Sequence, residues 1–547
     1  MAVTLASVML DGATRTFDKP YTYVVPPALE KAARPGCRAS VPFGRGNIKK
    51  VGMIIAVTVG EGGSLKELLS VTDEIPVLNE EMLCLCEYLR ETVFCTYFEA
   101  VRAMLPAGIG YKLTDYYTIN PEFSAGSLLS SGETAVIKVL EKKGETAADK
   151  LMKLTDADEE TLVSLYQKQA VLKATNPVRR MGDATQKWVR LNVEPDELLG
   201  LTLTPKQDEV VKLIGDALSL SVKEICYFTG VSTSVITGLI SKGILAAFDK
   251  EILRVHSKVC GEGVRDEIIL TDEQLSAFQG LKKSIESGRG ETAMLYGVTG
   301  SGKTKVFLKT VDLMLDEGRG VIVMVPEIAL TPQLLNIFSH RYGENIAVFH
   351  SAMPPGQRMD EWKRVKRGEA KIAIGTRSAV FAPVENLGLI IIDEEQEHTY
   401  KSEKSPRFHA RDVAKYRTAY HKGLLCIASA TPSVGSYAAA LSGKYSLFTL
   451  KNRYGDAILP DVVTVDMRKE ILSGNTSSIS KILHSEITAA LGEKRQIILL
   501  LNRRGHNTHI SCPACGYVAT CENCSISLTY HSANSRDRKS TRLNSSH

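Results

Sequence analysis

The chain has 547 residues, too many for a single hydrophobic core, and this length predicts roughly three to five domains. Its 44% hydrophobic and 24% charged content is that of a soluble globular protein and excludes a disordered or collagen-like chain. A formal net charge of +5 permits a nucleic-acid partner without requiring one.

The opening stretch, MAVTLASVMLDGATRTFDKPYTYVVPP, has no basic start, long apolar run or cleavage signal, so no export sequence is expected. No run approaches a membrane span. Cys37, Cys84, Cys86, Cys95, Cys226, Cys260 and Cys426 sit singly or in apolar patterns and read as buried thiols of a reducing cytoplasm. A cytoplasmic location without a membrane partner is therefore expected.

Along residues 1–75, YTYVVP, RASVPFG and VGMIIAVTVG alternate between turn signals and predict the strands of a small β-rich domain. From Asn79 to Leu105 apolar residues recur at helical spacing, which predicts a helix ending at Pro106 and a first domain over 1–106. Two similar blocks follow, 133–174 and 206–249, within a region spanning 107–260. Each predicts an amphipathic helix, a short second helix, a turn, a third helix and a strand, the plan of a helix-turn-helix with a wing. Neither third helix is rich in Arg or Lys, so the pattern leaves open DNA contact or a plain three-helix packing unit.

Between Gly261 and about Lys451, helical patterns alternate with the apolar runs TAMLYG, GVIVMVP, IAVFHS, KIAIGT, LGLIIIDEE and GLLCIASAT. Such runs predict a parallel sheet covered on both faces, a lobe spanning 261–453. Beyond Tyr454-Gly455, PDVVTVDM and RQIILLLNRRG flank the helical SKILHSEITAALG and predict the opening of a second α/β domain over 454–510.

Within the lobe, GVTGSGKT (297–304) fits G-x-x-x-x-G-K-[ST] between a strand and a helix. Gly297, Gly300 and Gly302 let the backbone N–H groups face phosphate oxygens, and the next helix adds its positive N-terminus. Lys303 is expected to neutralise the β- and γ-phosphates of ATP and Thr304 to ligate Mg²⁺. In LGLIIIDEEQ, two acids stand at a strand end: Asp393 to hold Mg²⁺, Glu394 to orient and deprotonate the attacking water.

The order of LTDEQ (270–274), VPEIALTPQ (325–333), GTRSAVFAP (375–383) and SATPS (429–433) around these motifs resembles superfamily 2 helicases. That resemblance implies RecA-like lobes, Gln274 reading the adenine, DNA contact from the loops at 326–332 and 375–378 (Thr376 and Arg377 among them), and SATPS coupling hydrolysis to DNA movement. Together with YKSEKSPRFHARDVA, LNRRGH, CPACGYVATCENCSISLTYH and the N-terminal KPYTYVVP, VPFG and KELLSVTDEIPVL, the motifs are similar to the bacterial replication restart helicases of the PriA (primosomal protein N′) family over most of residues 1–531.

The resemblance implies an N-terminal domain that binds the 3′ end of a leading strand at a fork, in a pocket mapping to Tyr21, Thr22, Tyr23, Gly44 and Lys66. The family has an acid where Thr22 stands; Thr still hydrogen-bonds a hydroxyl, without charge assistance. Segment 399–411 corresponds to an aromatic-rich loop in which Tyr400 and Phe408 would stack on bases. The family reads D-E-E-H where this chain ends in Gln396, which predicts altered coupling between nucleotide and DNA. Forked DNA, single-stranded DNA, single-stranded-DNA-binding protein and primosome loading proteins are the implied partners.

Cys512, Cys515, Cys521 and Cys524 form two C-x-x-C pairs suited to tetrahedral Zn²⁺ in a module over 511–533. The pairs themselves leave open one closed site or two half sites. The family implies the latter, eight cysteines holding two Zn²⁺ with half of each site present here. The remaining SRDRKSTRLNSSH, within 534–547, has one large apolar residue and reads as a non-native tail. Arg503 and Arg504 are candidate contacts from a second lobe of which only the start is expected. The resulting expectation is a multidomain α/β protein, an ATP-dependent 3′→5′ DNA helicase of replication restart whose turnover in this chain is slow or absent. The alternative is a fork-binding module with ATP as a conformational switch.

Overall fold

The computed structural model describes residues 2–106, 109, 111–121, 123, 129–179, 185–193, 203–217, 219–251, 253, 263–326, 332–453, 461–475, 477–500, 528–531 and 536–539. It divides into two units, 1–457 and 458–547.

The alternating N-terminal runs fold as an antiparallel sheet of β1 (Ala2–Leu10), β2 (Tyr21–Val24), β3 (Arg38–Phe43), β4 (Ile48–Glu61) and β5 (Ser70–Val71), in the order β2-β1-β4-β3-β5. Alternation places Ala6, Val8, Tyr23, Ala39, Val41 and Ile54 on one face, where they form a small core. The expected single helix to Pro106 is two: α1 (Glu80–Val93) and α2 (Tyr97–Met104). Phe94 ends α1 in the left-handed conformation, and Thr96 restarts the chain with a capping box to Glu99. Apolar periodicity continues across the break because both helices bury the same side.

That side is lobe 1. Leu85, Leu89, Tyr97, Val101 and Met104 share one core with Phe349, Trp362, Phe381, Val413 and Ala414. Tyr88 stacks on Tyr416 with centroids 4.6 Å apart. Arg417, wholly buried, donates to Glu81 of α1 through Nε (2.6 Å) and Nη2 (3.0 Å), and through Nη1 to the carbonyls of Val380 (2.7 Å) and Ala382 (2.9 Å).

Each repeated block has three helices and a three-stranded antiparallel sheet. The first comprises β6 (Tyr111–Ile119), α3 (Ser131–Lys143), β7 (Thr146–Ala147), α4 (Ala148–Thr155), α5 (Glu159–Gln167) and β8 (Val171–Arg179), ordered β7-β6-β8. The second comprises β9 (Thr185–Leu191), α6 (Pro205–Ala217), β10 (Ser219–Ser221), α7 (Val222–Thr229), α8 (Thr233–Ser241) and β11 (Leu245–Glu251), ordered β10-β9-β11. The strands that precede the helices, β6 and β9, lie outside the two blocks expected from sequence. Ser130 and Ser221 open α3 and α7 with the same capping box, to Glu133 and Glu224.

Lobe 1 begins with α9 (Asp272–Glu286) and is built on β12 (Thr292–Gly297), α10 (Lys303–Asp316), β13 (Gly320–Met324), α11 (Pro332–Tyr342), β14 (Ile346–Phe349), α12 (Pro355–Lys366), β15 (Ile372–Gly375), β16 (Leu387–Ile392), α13 (Ala410–Tyr420), β17 (Leu424–Ser429), α14 (Val434–Leu441) and β18 (Ser446–Leu450). The sheet is parallel throughout, ordered β14-β15-β13-β16-β17-β12-β18, with β18 an edge strand beyond the six apolar runs. Both faces are buried, as the near-continuous apolar strands require. On β11, Glu251 pairs with Lys363 of α12 and, at 2.6 Å, with Arg367 just past its end, fastening the second block to the lobe.

The second unit holds α15 (Met467–Leu472), α16 (Lys481–Gly492) and the hairpin of β19 (Leu528–His531) with β20 (Arg536–Lys539). The helix of SKILHSEITAALG forms, but residues 461–466 and 495–500 are not strands. A parallel strand exists only beside a neighbour. Among the described residues these two segments pair with none, and Val462, Ile498 and Leu500 remain exposed.

Candidate nucleotide and nucleic-acid sites

Parallel topology brings the three principal motifs to one edge of the sheet. β16, β17 and β12 are adjacent, so the turns after them meet at their carboxyl ends, where ligands bind in open α/β sheets.

The turn after β12 curls through Gly300 and Gly302, both at φ +79°, into α10. A Cβ on Gly302 would lie 2.5 Å from Gln274 Nε2, so the close approach requires glycine. No side chain caps α10, which leaves its first N–H groups facing the turn together with the positive end of the helix. Lys303 Nζ bends back to donate to Gly297 O at 2.8 Å, and Thr304 stands in the first helical turn. An uncapped N-terminus and a lysine held by a carbonyl suit a polyphosphate. Gln274, 1% exposed, donates to Ser301 O at 2.9 Å and accepts from Thr271 N at 3.1 Å. Both ends of its amide brace the glycine turn and the start of α9.

Asp393 leaves β16 half-buried. Burial, then the Glu394 charge, push it up to about 6, against the Glu394 N–H (3.0 Å from Oδ1) and Lys303, which favour the anion. A carboxyl whose ionisation is opposed by burial and by a neighbouring acid suits a divalent cation. Glu394 adopts φ +48°, the left-handed region that a non-glycine residue enters only where surrounding structure holds it. Gln396 bridges the strand-end acids and the turn after β17: its Nε2 donates to Glu394 Oε2 (2.8 Å), and Ser429 Oγ donates to its Oε1 (2.6 Å). Thr431 N in turn donates to Ser429 Oγ at 2.8 Å.

A parallel link runs through Glu395, which sequence reasoning passed over. Its buried carboxylate accepts from Ser433 N (2.6 Å), Ser436 Oγ (3.0 Å) and Arg411 Nη1 (3.3 Å). The only advance signal was a third acid in DEEQ where two suffice for hydrolysis.

Beside this edge lies a groove of about 520 Å³ lined by Arg358, Thr376, Arg377, His398, Lys401 and Lys404, with Glu403 as its acid. Arg377 donates to the carbonyls of Thr399 (3.0 Å) and Lys401 (2.6 Å), joining the loop at 375–378 to that at 399–411. Tyr400 and Phe408 do not present rings for stacking. Tyr400 is 1% exposed and its hydroxyl donates to Asp393 O at 2.6 Å; Phe408 is 5% exposed and packs edge-on to Phe381 at 4.8 Å. Their apolar area is worth more in the core than on a wet loop. The loop offers lysines to a ligand and keeps its aromatics for the lobe.

In the N-terminal sheet, Lys66 Nζ donates to Gly44 O (2.6 Å) and Asn47 Oδ1 (2.7 Å), and the Lys66 carbonyl accepts from Val24 N, so Gly44 and Lys66 come together beside β2. Thr22 is exposed on β2. Strand alternation turns Tyr21 and Tyr23 the other way: Tyr23 is core, and Tyr21 packs edge-on to Phe43 at 5.1 Å. Tyr23 therefore supports the strand and offers no contact surface.

Cys512, Cys515, Cys521 and Cys524, Arg503 and Arg504, and the loop 327–331 lie outside the described residues. Among the described residues no group of three or more His, Cys, Asp or Glu side chains is placed to hold a metal ion.

Comparison with known proteins matches residues 7–106 to the 3′DNA-binding domain (3′BD) model and residues 271–439 to the DEAD/DEAH box helicase model. The chain is 34% identical over 541 residues to the replication restart protein PriA of Bacillus subtilis (strain 168), covering 96% of this chain and 65% of that protein. It is 32% identical over 540 residues to PriA of Synechocystis (93% and 62%) and 40% identical over 271 residues to PriA of Treponema pallidum (49% and 40%). The chain thus spans less than two thirds of the length of these relatives. Two matched domains in this order, with identity running along 96% of the chain, make it a member of the replication restart protein PriA family of superfamily 2 helicases.

Proposed function

We propose that the chain is an ATP-dependent 3′→5′ DNA helicase that recognises stalled or repaired replication forks and initiates primosome assembly in the cytoplasm. The observation that carries this reading is the Gln396 bridge, because it joins the acid beside the phosphate turn to the SATPS turn by two hydrogen bonds. A protein that only binds nucleotide has no need of a side chain shared between those two places.

In this reading the N–H groups at the start of α10 and Lys303 bind the phosphates of ATP, and Thr304 and Asp393 hold Mg²⁺, which supplies positive charge against the developing phosphoryl charge. Glu394 orients water and accepts its proton. Loss of the γ-phosphate shifts Glu394, and Gln396 passes the shift to Ser429 and the SATPS turn. Thr376, Arg377 and the lysines of the 399–411 loop contact the strand backbone. Thr22, Gly44 and Lys66 hold a terminal 3′ nucleotide, and the two repeated blocks act as winged helices against duplex arms. Cys512, Cys515, Cys521 and Cys524 are the proposed zinc ligands. Single-stranded-DNA-binding protein and primosome loading proteins are the proposed protein partners.

The test is ATP hydrolysis by this chain with and without forked DNA bearing a free 3′ end, beside fork binding and a Lys303→Ala control. DNA-stimulated turnover that Lys303→Ala abolishes supports the helicase. Fork binding without turnover would instead make the chain a fork-binding module in which nucleotide acts as a switch.

A further inference from the structure

The basic groove does not end at Arg358. At Arg358 and Ser378 it opens into a second cavity, of about 250 Å³, between α2 of the N-terminal unit and the helicase lobe. It is lined by Phe349, Trp362 and Phe381 of the lobe and by Arg102, Met104 and Leu105 at the end of α2. None of the described lining residues is acidic.

At the junction of the two spaces, Arg358 uses Nη2 on the carbonyls of His350 (2.9 Å) and Ser351 (3.0 Å). Its Nε is buried and has no hydrogen-bond partner among the described residues. A buried guanidinium N–H left without an acceptor is costly unless an anionic group completes it. The cavity therefore combines aromatic walls, an arginine with donor capacity at its mouth, and continuity with a cationic groove. An apolar peptide side chain would satisfy the walls and leave the arginine unused. A nucleotide unit satisfies both, its base against the aromatic edges and its phosphate at the arginine.

We propose that this cavity holds one nucleobase of single-stranded DNA, turned out of the strand that lies in the groove, with the adjoining phosphate at Arg358. The inference rests on the helicase reading and adds a point at which the N-terminal domain and the lobe grip the same nucleotide. Because ring faces and edges are common to all four bases, the pocket selects an unpaired base and not a sequence. A paired base remains in its stack, so duplex DNA is excluded.

The chain has two tryptophans, so Trp188→Phe leaves Trp362 as the only indole reporter in the full-length chain. An oligothymidylate carrying one 5-iodouracil at successive positions is bound, irradiated and mapped, while anisotropy follows binding. The expected result is quenching of Trp362 emission on saturation, and crosslinks to Trp362, Phe349 or Phe381 from one iodouracil position above all others. Ala103→Leu fills the cavity from α2 without altering the groove; it should remove that crosslink and weaken single-stranded binding by roughly five- to hundredfold. DNA binding by anisotropy with unchanged Trp362 emission, and crosslinks confined to residues outside the cavity, overturns the inference and leaves the helicase reading standing. Absence of single-stranded DNA binding overturns both.

Discussion

Arg417 and Glu81 stand 336 residues apart in the chain and form a two-pronged ion pair in which neither side chain meets solvent. The same guanidinium holds two carbonyls of the turn that follows Arg377, a residue of the basic groove. One side chain thus ties an N-terminal helix to a groove-lining turn of the lobe.

Breaking this pair from either side deprives a buried charge of its main counter-charge. Glu81→Gln should cost about 3–5 kcal/mol in unfolding free energy. Arg417→Leu should cost more, because the carbonyls of Val380 and Ala382 also lose their donor. Denaturant unfolding measures both; a loss below about 1 kcal/mol in either would place the pair at the level of a surface contact.

The pair also sets an acid limit. Burial pushes the Glu81 carboxyl up, but Arg417, His421 (Nε2 3.0 Å away) and their hydrogen bonds outweigh it and hold the group at about 2. A carboxylate whose folded pKa lies below its unfolded value stabilises the fold above the unfolded pKa. That stabilisation, about 3 kcal/mol here, is lost as pH falls from about 4.5 through about 2. Unfolding free energies of the parent chain should fall more steeply than those of Glu81→Gln between these limits, and parallel curves would contradict the assignment.

Gln396→Ala removes both bonds of the Glu394–Gln396–Ser429 bridge while leaving the phosphate turn intact. ATP binding should change little, whereas stimulation of hydrolysis by DNA should fall by roughly 5- to 100-fold. Gln396→His should give an intermediate, altered stimulation. Equal stimulation in all three chains would remove Gln396 from the coupling route.

Tyr400→Phe deletes only the hydroxyl that reaches Asp393 O. A loss of about 1 kcal/mol in stability is expected, with single-stranded DNA affinity unchanged. A stability-neutral substitution would return this ring to the solvent side of its loop.

The parallel sheet was legible because its strands are apolar on both faces and separated by helices, and the glycine turn between β12 and α10 because glycines, lysine and hydroxyl fall at fixed offsets. The repeated blocks were legible from their shared periodicity. Other features leave no local trace. Arg417 lies in an ordinary amphipathic pattern, and its partner is 336 positions away. An aromatic in a loop has the same sequence signal whether it faces bases or a core, so Tyr400 and Phe408 were read outward and lie inward. Apolar runs such as PDVV and IILLL mark what a strand is made of but do not supply the neighbour that makes it one. Phe94, at φ +56°, breaks a helix whose apolar repeat runs on undisturbed.

Because α1 and α2 and one face of the lobe are a single hydrophobic cluster, these parts are expected to unfold together. A fragment cut at Pro106 would expose Leu85, Tyr97 and Met104 to water, and a lobe without α1 and α2 would bare Trp362 and Phe381 in the same way. Damage by heat or mutation on either side of this seam should therefore unfold α1, α2 and the lobe together. It does not leave behind a folded lobe stripped of α1 and α2.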